Sequence, residues 1–303
     1  MSSRADSSQP LPASLCGRPF TTALARSHGL SRSRTRARDF IRPFRGVIAP
    51  SSLGSRPAAM AVAYAAKMPS THCFSHSTAA ILHGMRLPRA TQELSELHVT
   101  AGPDSWAPQG KRIRGHVGEV RVVELGGLRV VPAIVAWCQL STLLGLDDLV
   151  IAADGLVARK NPTATVGELQ AAVESWRGRR GFRRLSDALA HVRERTDSAR
   201  ETMLRLLIVR AGMPEPMINA PIRSRTGHVV AHADLAYPEF NLILEYDGDH
   251  HRTERAQYYT DIDRLERITR EGWRVIRINL KHMANPAALE AVIRQALADA
   301  GRA

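Results

Sequence analysis

The stretch Val229-Val-Ala-His232-Ala-Asp234-Leu-Ala-Tyr237-Pro-Glu-Phe-Asn-Leu242-Ile-Leu-Glu245-Tyr-Asp247 decides how this chain is read. Two runs that alternate apolar and polar residues flank a Pro-Glu-Phe-Asn break, the pattern of two strands joined by a tight connection. A hairpin closed around Glu239-Phe240 sets Tyr237 opposite Leu242, Asp234 opposite Glu245 and His232 opposite Asp247. Successive side chains of a strand point to opposite faces. Ala233, Leu235, Tyr237, Leu242, Leu244 and Tyr246 therefore share one face, suited to a core, while His232, Asp234, Ala236, Ile243, Glu245 and Asp247 share the other. Directly opposed residues have Cβ atoms about 4.5–5.5 Å apart, where like charges destabilise the pair. Two carboxylates at that spacing make sense with a hard cation between them, and Mg²⁺ takes one or two carboxylates plus substrate phosphate oxygens. The plainer alternative is a polar outer face whose acids pair with arginines. Helices expected before and after the sheet argue against a solvated face, because buried acids need a cation or raised pKa values.

The surrounding pattern extends this into a domain. Beyond Asp197 the expected order is a helix (Ser198–Ala211), strands Met217–Ile222, Val229–Tyr237 and Asn241–Asp247, and a long helix over about Glu254–Glu271. A strand (Trp273–Asn279) and a last helix (Asn285–Ala300) complete an αβββαβα series. Upstream, residues 58–195 mix helices and short strands. Ser75–Gly84 reads as a helix with a glycine stop, and Val120–Glu124 and Leu128–Val131 as a hairpin through Gly126-Gly127. Ala133–Leu144 and Asp147–Arg159 read as helices, and Trp176–Arg184 as a basic connector. His76 and His83 lie seven apart on one helix face without an evident third ligand, which favours packing and capping roles over a metal.

The N-terminal fifty residues carry nine arginines, at 4, 18, 26, 32, 34, 36, 38, 42 and 45, against Asp6 and Asp39. That is more than half of the chain's formal excess of +13, and only four of its 42 basic residues are lysine. Such a bias favours a polyanionic partner, since each cation facing a phosphate releases a counterion. The plainer alternative is a GC-rich genome that spells arginine often. A helix from Phe20 to His28, Gly29, a second helix capped by Ser31 and running to about Phe40, then extended Ile41–Ile48 follow the order of a winged helix-turn-helix. A mitochondrial transit peptide would account for the arginines but not for Gly29, Ser31 and Gly46.

The 303 residues exceed one small core. We read an α/β, multi-domain chain: a disordered leader (1–18), a winged helix and linker (19–57), an α+β middle domain (58–195) and the αβββαβα domain (196–303). Cys16, Cys73 and Cys138 form no C-x-x-C and leave one thiol over in any pairing, which fits a reducing cytoplasm. No stretch reaches the roughly 18 apolar residues of a membrane span, and no apolar signal region opens the chain.

Asp234, followed ten residues later by Glu245-Tyr246-Asp247 on the next strand, resembles the PD-(D/E)xK nuclease core, and Glu201 matches its acidic helix position. Ala233-Asp-Leu-Ala, Leu244-Glu-Tyr-Asp-Gly-Asp-His-His251, Asp261-x-x-Arg264 and Gly272-Trp-Arg-Val-Ile-Arg277 are similar to a bacterial family related to very-short-patch-repair (Vsr-like) endonucleases. The resemblance spans about Ser198 to Leu297. It implies a restriction-endonuclease-like fold and hydrolysis of DNA phosphodiesters, in defence or repair, with Mg²⁺ (or Mn²⁺) held by Asp234, Glu245 and the Tyr246 carbonyl. Glu201 would hold a second ion or a metal-bound water. The sequence departs from the family where a lysine is usual, at Asp247. His250 or His251 are candidate general acid or base, and Lys281 a candidate displaced cation. Asp261 and Arg264 stand one helical turn apart and either orient the site or stabilise the helix. His232 is a further supporting residue.

Phe20–Leu30, Arg42–Val47 and Phe74-Ser-His-Ser-Thr-Ala-Ala-Ile-Leu-His-Gly84 resemble AbiEi-like type IV antitoxins. That resemblance implies DNA binding by Arg32, Arg34, Arg36 and Arg38 on the second helix and Arg45 on the wing, and leaves a cognate toxin or other protein partner open. The rival reading is a non-catalytic DNA-binding regulator in which the nuclease fold survives as a platform and Asp247 marks lost catalysis.

Overall fold

The computed structural model describes residues 10–93, 96–224, 226–247 and 264–301. It divides into two compact units, 1–143 and 144–303. No helix among the described residues is long and apolar enough to cross a membrane.

The first unit opens with a small three-stranded sheet. Strand β1 (Phe20–Thr21) leads into helix α1 (Thr22–Ser27), where the Thr21 hydroxyl accepts from the Leu24 amide. A left-handed Gly29 turns the chain into α2 (Arg32–Thr35), capped by Ser31. Strands β2 (Phe40–Ile41) and β3 (Val47–Pro50) follow, and both β1 and β2 pair antiparallel with β3. The second helix is one turn long, not the nine residues expected to Phe40. The expected leader is also structured where it is described. Residues Ala13–Leu15 form a 3₁₀ turn, and buried Leu15 packs with Phe20, Ala25, Leu30 and Ile48.

The same unit continues with α3 (Pro57–Ala65), β4 (His72–Phe74), α4 (His76–Leu82), α5 (Arg89–Gln92), β5 (Leu97–Ala101), β6 (Gln109–Gly110), β7 (Ile113–Val117), β8 (Val123–Leu125), β9 (Leu128–Val130) and α6 (Ala133–Leu140). The strands form a mixed sheet in the order β6-β7-β5-β4-β9-β8. The Gly126-Gly127 hairpin is present, with Leu125 opposite Leu128. No boundary falls at 57. Phe44 stacks edge-on against Tyr64 at 5.2 Å and Tyr64 against Phe74 at 6.3 Å, so one aromatic core runs through both parts.

The second unit begins with α7 (Leu146–Leu156), α8 (Val166–Ser175) and α9 (Phe182–His191), so Trp176–Arg184 is a turn and a helix start rather than a connector. These helices join α10 (Ala199–Arg210) through a buried network, which is why the unit starts at 144 and not at 196. Asp154 of α7, wholly buried, accepts from the Arg205 guanidinium at 2.9 Å, the Thr202 hydroxyl at 2.9 Å and the Arg193 amide at 2.8 Å.

The expected αβββαβα order follows from α10 onward: β10 (Met217–Arg223), β11 (Val229–Tyr237), β12 (Leu242–Tyr246), α11 (described over 264–270), β13 (Arg274–Ile278), a short α12 (Leu280–Met283) and α13 (Pro286–Ala300). The sheet order is β10-β11-β12-β13, antiparallel except for the parallel β12–β13 pair. Strand β12 is central, and its Leu242-Ile-Leu core is fully buried on both faces, as such a position demands. Helices α10 and α13 cover one face through Leu204, Ile208, Leu289 and Ile293 against Leu235, Tyr237, Leu242 and Leu244. Ile268 of α11 covers the other, with Trp273, Ala236 and Ile243.

Candidate functional site

Next to the turn, the hairpin register is as read from the sequence. Tyr237 pairs with Leu242, Ala236 with Ile243 and Leu235 with Leu244, and Asp234 and Glu245 are the next residues along the two strands. The connection is a four-residue one, a 3₁₀ turn over Pro238–Phe240 closed by a left-handed Asn241.

One residue breaks the expected alternation. Leu235 and Tyr237 face α10 and α13, but Ala233 packs on the opposite layer with Ala220 and Ile222. The strand therefore changes face at Asp234. Its neighbour on β10, counted from the Ala220–Ala233 and Ile218–Leu235 pairs, is Asn219, which holds φ 51 in the left-handed region. A distorted ladder at this point lets the Asp234 carboxylate swing toward the strand ends, where its Oδ2 accepts from the Tyr246 amide at 3.0 Å.

Asp234, Glu245, Tyr246, Asp247, Arg264, Leu265 and Arg277 line one cleft of about 120 Å³. At roughly 30 Å³ per water, that holds about four water molecules, enough for part of an ion's hydration shell. Two arginines enter it. Arg264 donates to Glu245 Oε1 at 2.6 Å and to the His232 carbonyl at 2.5 Å. Arg277, which stands beside Glu245 in the parallel register, pairs with Asp247 at 3.0 Å. Burial raises the Glu245 pKa, Arg264 opposes it, and the Asp234 charge adds to the rise.

Glu201 sits at the start of α10 and does not line the cleft. It is 4% exposed, and its Oε2 accepts from the Asp197 amide at 2.8 Å. Burial pushes its carboxyl up to about 7 against that hydrogen bond, with the Asp234 charge contributing in the same direction. Asp197 is itself held by Arg159, Lys160 and Asn219.

Other expected residues separate. The His232 side chain is exposed and absent from the cleft lining; only its carbonyl takes part, through Arg264. Lys281 is exposed in α12 and does not reach the cleft, so the cations there are Arg264 and Arg277. His250, His251 and Asp261 lie outside the described residues. Among the described residues, three His, Cys, Asp or Glu donors come within 4.8 Å of one another at His76, His98 and His116 and not in the carboxylate cleft. His83, by contrast, has Nε2 2.8 Å from the Val131 carbonyl oxygen, which is a structural bond.

In the N-terminal module, Arg34 does not face outward. It is 7% exposed, forks onto both Asp39 oxygens at 2.9 and 2.8 Å, and lies over the Phe40 ring at 4.8 Å. A helix of one turn has too little length to present 32, 34, 36 and 38 together, and the inward side falls to Arg34. Arg32, Arg36, Arg38 and Arg45 are exposed. A groove of about 400 Å³ gathers Arg26, Arg32, Arg36 and Arg42 beside Thr22 and Thr35, so Arg26 and Arg42 join the exposed basic surface.

The chain is 30% identical over 111 residues to two uncharacterized proteins of Mycobacterium tuberculosis, from strains CDC 1551 / Oshkosh and ATCC 25618 / H37Rv. The match covers 37% of this chain and 41% of each relative. No protein-family profile and no solved structure matches the chain.

Proposed function

We propose that the second unit is a PD-(D/E)xK-type, divalent-metal-dependent nuclease domain acting on DNA, with Asp234 and Glu245 as the metal-binding carboxylates. The observation that carries this reading is the meeting of these two acids, from adjacent antiparallel strands, in one cleft with two arginines. The donors are all oxygen, which suits Mg²⁺ or Mn²⁺ rather than a softer ion. When bound, the ion would supply an activated water and polarise the scissile phosphate.

The chain's own side chains do the rest. Arg264 fixes Glu245, and Arg277 adds a second positive charge beside Asp247, the residue that stands where the family's lysine is usual. The Tyr246 amide orients Asp234. Glu201, whose carboxyl burial raises to about 7 with the Asp234 charge contributing, can hold or release a proton near neutral pH.

Exposed arginines of the first unit, Arg32, Arg36, Arg38 and Arg45 with Arg26 and Arg42, are proposed to bind the DNA backbone in the manner of a winged helix. An antitoxin-like role with a toxin partner belongs to the same proposal. The Glu245–Arg264 ion pair favours a second reading, because it satisfies the glutamate without any metal. In that reading the chain is a non-catalytic DNA-binding regulator.

Purified protein incubated with supercoiled plasmid and Mg²⁺ or Mn²⁺ separates the two. Nicking by wild type that is lost in Asp234→Ala and Glu245→Ala supports the nuclease. Intact DNA across mismatched, branched and single-stranded substrates, with retained promoter-fragment binding, supports the regulator.

A further inference from the structure

Three imidazoles converge in the first unit, far in sequence from the carboxylate cleft. His76 opens α4, His98 lies on β5 and His116 on β7. The parallel register sets His98 beside Arg114 and Thr100 beside His116, so all four residues share one face of the sheet. His98 Nδ1 and His116 Nε2 are 3.1 Å apart, and the His76 and His116 rings stack at 3.8 Å between centroids. One ring nitrogen from each histidine falls within 4.8 Å of the other two. Two nitrogens bound at 2.0–2.1 Å on a tetrahedral ion lie about 3.3 Å apart. The His98–His116 spacing is already close to that, and the His76 ligand atom lies within 4.8 Å of both.

Three local features point the same way. His76 holds φ 48, a conformation that non-glycine residues rarely adopt, and its amide donates to Gln139 Oε1 at 2.8 Å. The fold thus accepts backbone strain to aim this one imidazole, as functional positions often do. His76 Nδ1 lies 3.0 Å from the Ser75 hydroxyl, which leaves Nε2 as its ligand atom and provides the outer hydrogen bond typical of metal-bound histidine. Thr100 Oγ1 is buried without a hydrogen-bond partner among the described residues, beside His116 on the same face.

We propose that His76, His98 and His116 form a mononuclear transition-metal site of the zinc class, with a fourth position open to water or an anionic ligand. Three histidines with one open position are the donor set of catalytic rather than structural zinc. Imidazole nitrogen selects Zn²⁺, Co²⁺ or Cu²⁺ over Mg²⁺. His76 and His116 are partly exposed, so the open position faces solvent, while His98 is buried. Arg114 is the nearby cation and weakens the site, but it is exposed and therefore screened. The proposal does not rest on the nuclease reading.

The test uses the full chain without a histidine tag, stripped by chelator and dialysed against Zn²⁺ or Co²⁺ in excess Mg²⁺. The expected result is a single equivalent of Zn²⁺, and a Co²⁺ visible band of the intensity seen at low coordination number. His76→Ala and His116→Ala, chosen because both side chains are partly exposed, should lose the equivalent while keeping wild-type circular dichroism, and Asp234→Ala should retain it. The Co²⁺ spectrum of wild type decides the matter even where a variant unfolds. Absence of that band, less than a tenth of an equivalent bound, or metal that survives both histidine substitutions would overturn the site.

Discussion

Asp234 and Glu245, from adjacent strands, share one cleft with Arg264 and Arg277. Substituting either acid should slow DNA nicking by at least about 100-fold, roughly 3 kcal/mol of transition-state stabilisation, while leaving thermal unfolding near wild type. Equal rates for wild type and Asp234→Asn would assign any nicking to a contaminant. Glu201 was identifiable by its helix position, but its state was not, because burial depends on what packs around α10. Its folded pKa of about 7 lies above the ordinary 4.5. The folded form therefore keeps a proton that the unfolded chain releases, so stability is full below about pH 4.5 and falls as pH rises through 7. Glu201→Gln should remove that decline and leave the protein on the order of 2–3 kcal/mol more stable at pH 8, as read by urea unfolding at pH 5 and pH 8. A parallel pH profile in the variant would refute the assignment. Arg34 shows the opposite failure. Sequence alone counted it with its arginine neighbours, whereas Asp39, five residues on, and Phe40 draw it inward.

At the scale of the elements, the sequence located most helices and strands of the C-terminal half but not the register of β13. A parallel neighbour is joined by a crossover rather than a turn, so nothing local fixes that Arg277 comes beside Glu245. The same holds for the histidine trio, whose members come from one helix and two strands and carry no spacing motif. His76 was weighed as a ligand only beside His83, and His116 sits in an Ile-Arg-Gly-His-Val run that was not read as a strand. Glycine at 115 has a structural reason, since a Cβ there would come within 2.0 Å of the Pro108 carbonyl oxygen. The α7–α10 union rests on a buried pair, Asp154 and Arg205, exposed by 0% and 1%. Breaking such a pair from one side strands a charge, so Asp154→Ala should cost about 3–5 kcal/mol. The double substitution Asp154→Leu/Arg205→Met removes both charges and should recover most of the loss. A double variant no more stable than Asp154→Ala, by denaturant unfolding, would show that packing and not charge carries the union.

For the whole molecule, the formal charge of +13 is concentrated at the N-terminal end, and composition alone indicated that bias without showing which arginines are available. The exposed set predicts a graded outcome. Replacing Arg32, Arg36 or Arg38 by Gln should each lower the slope of log DNA affinity against log salt by about 1. Arg34→Gln should leave the slope unchanged and reduce stability by about 1–3 kcal/mol through loss of a buried, charge-assisted bond. Filter-binding or fluorescence-anisotropy titrations at several salt concentrations measure the slopes, and an Arg34 effect equal to the others would reverse this assignment. The division at 143 was not legible, because loop composition at 49–57 and 176–184 mimics a linker while aromatic and ionic contacts in the fold override it. The change of face at Asp234 has its own consequence for how this chain can vary. Deleting a single residue from the Pro238–Asn241 turn would transpose the two oily layers and scatter the acids in the same stroke, whereas a paired insertion would spare both. Architecture and reactivity hinge on a common fault line, so homologues that keep one should be found to keep the other.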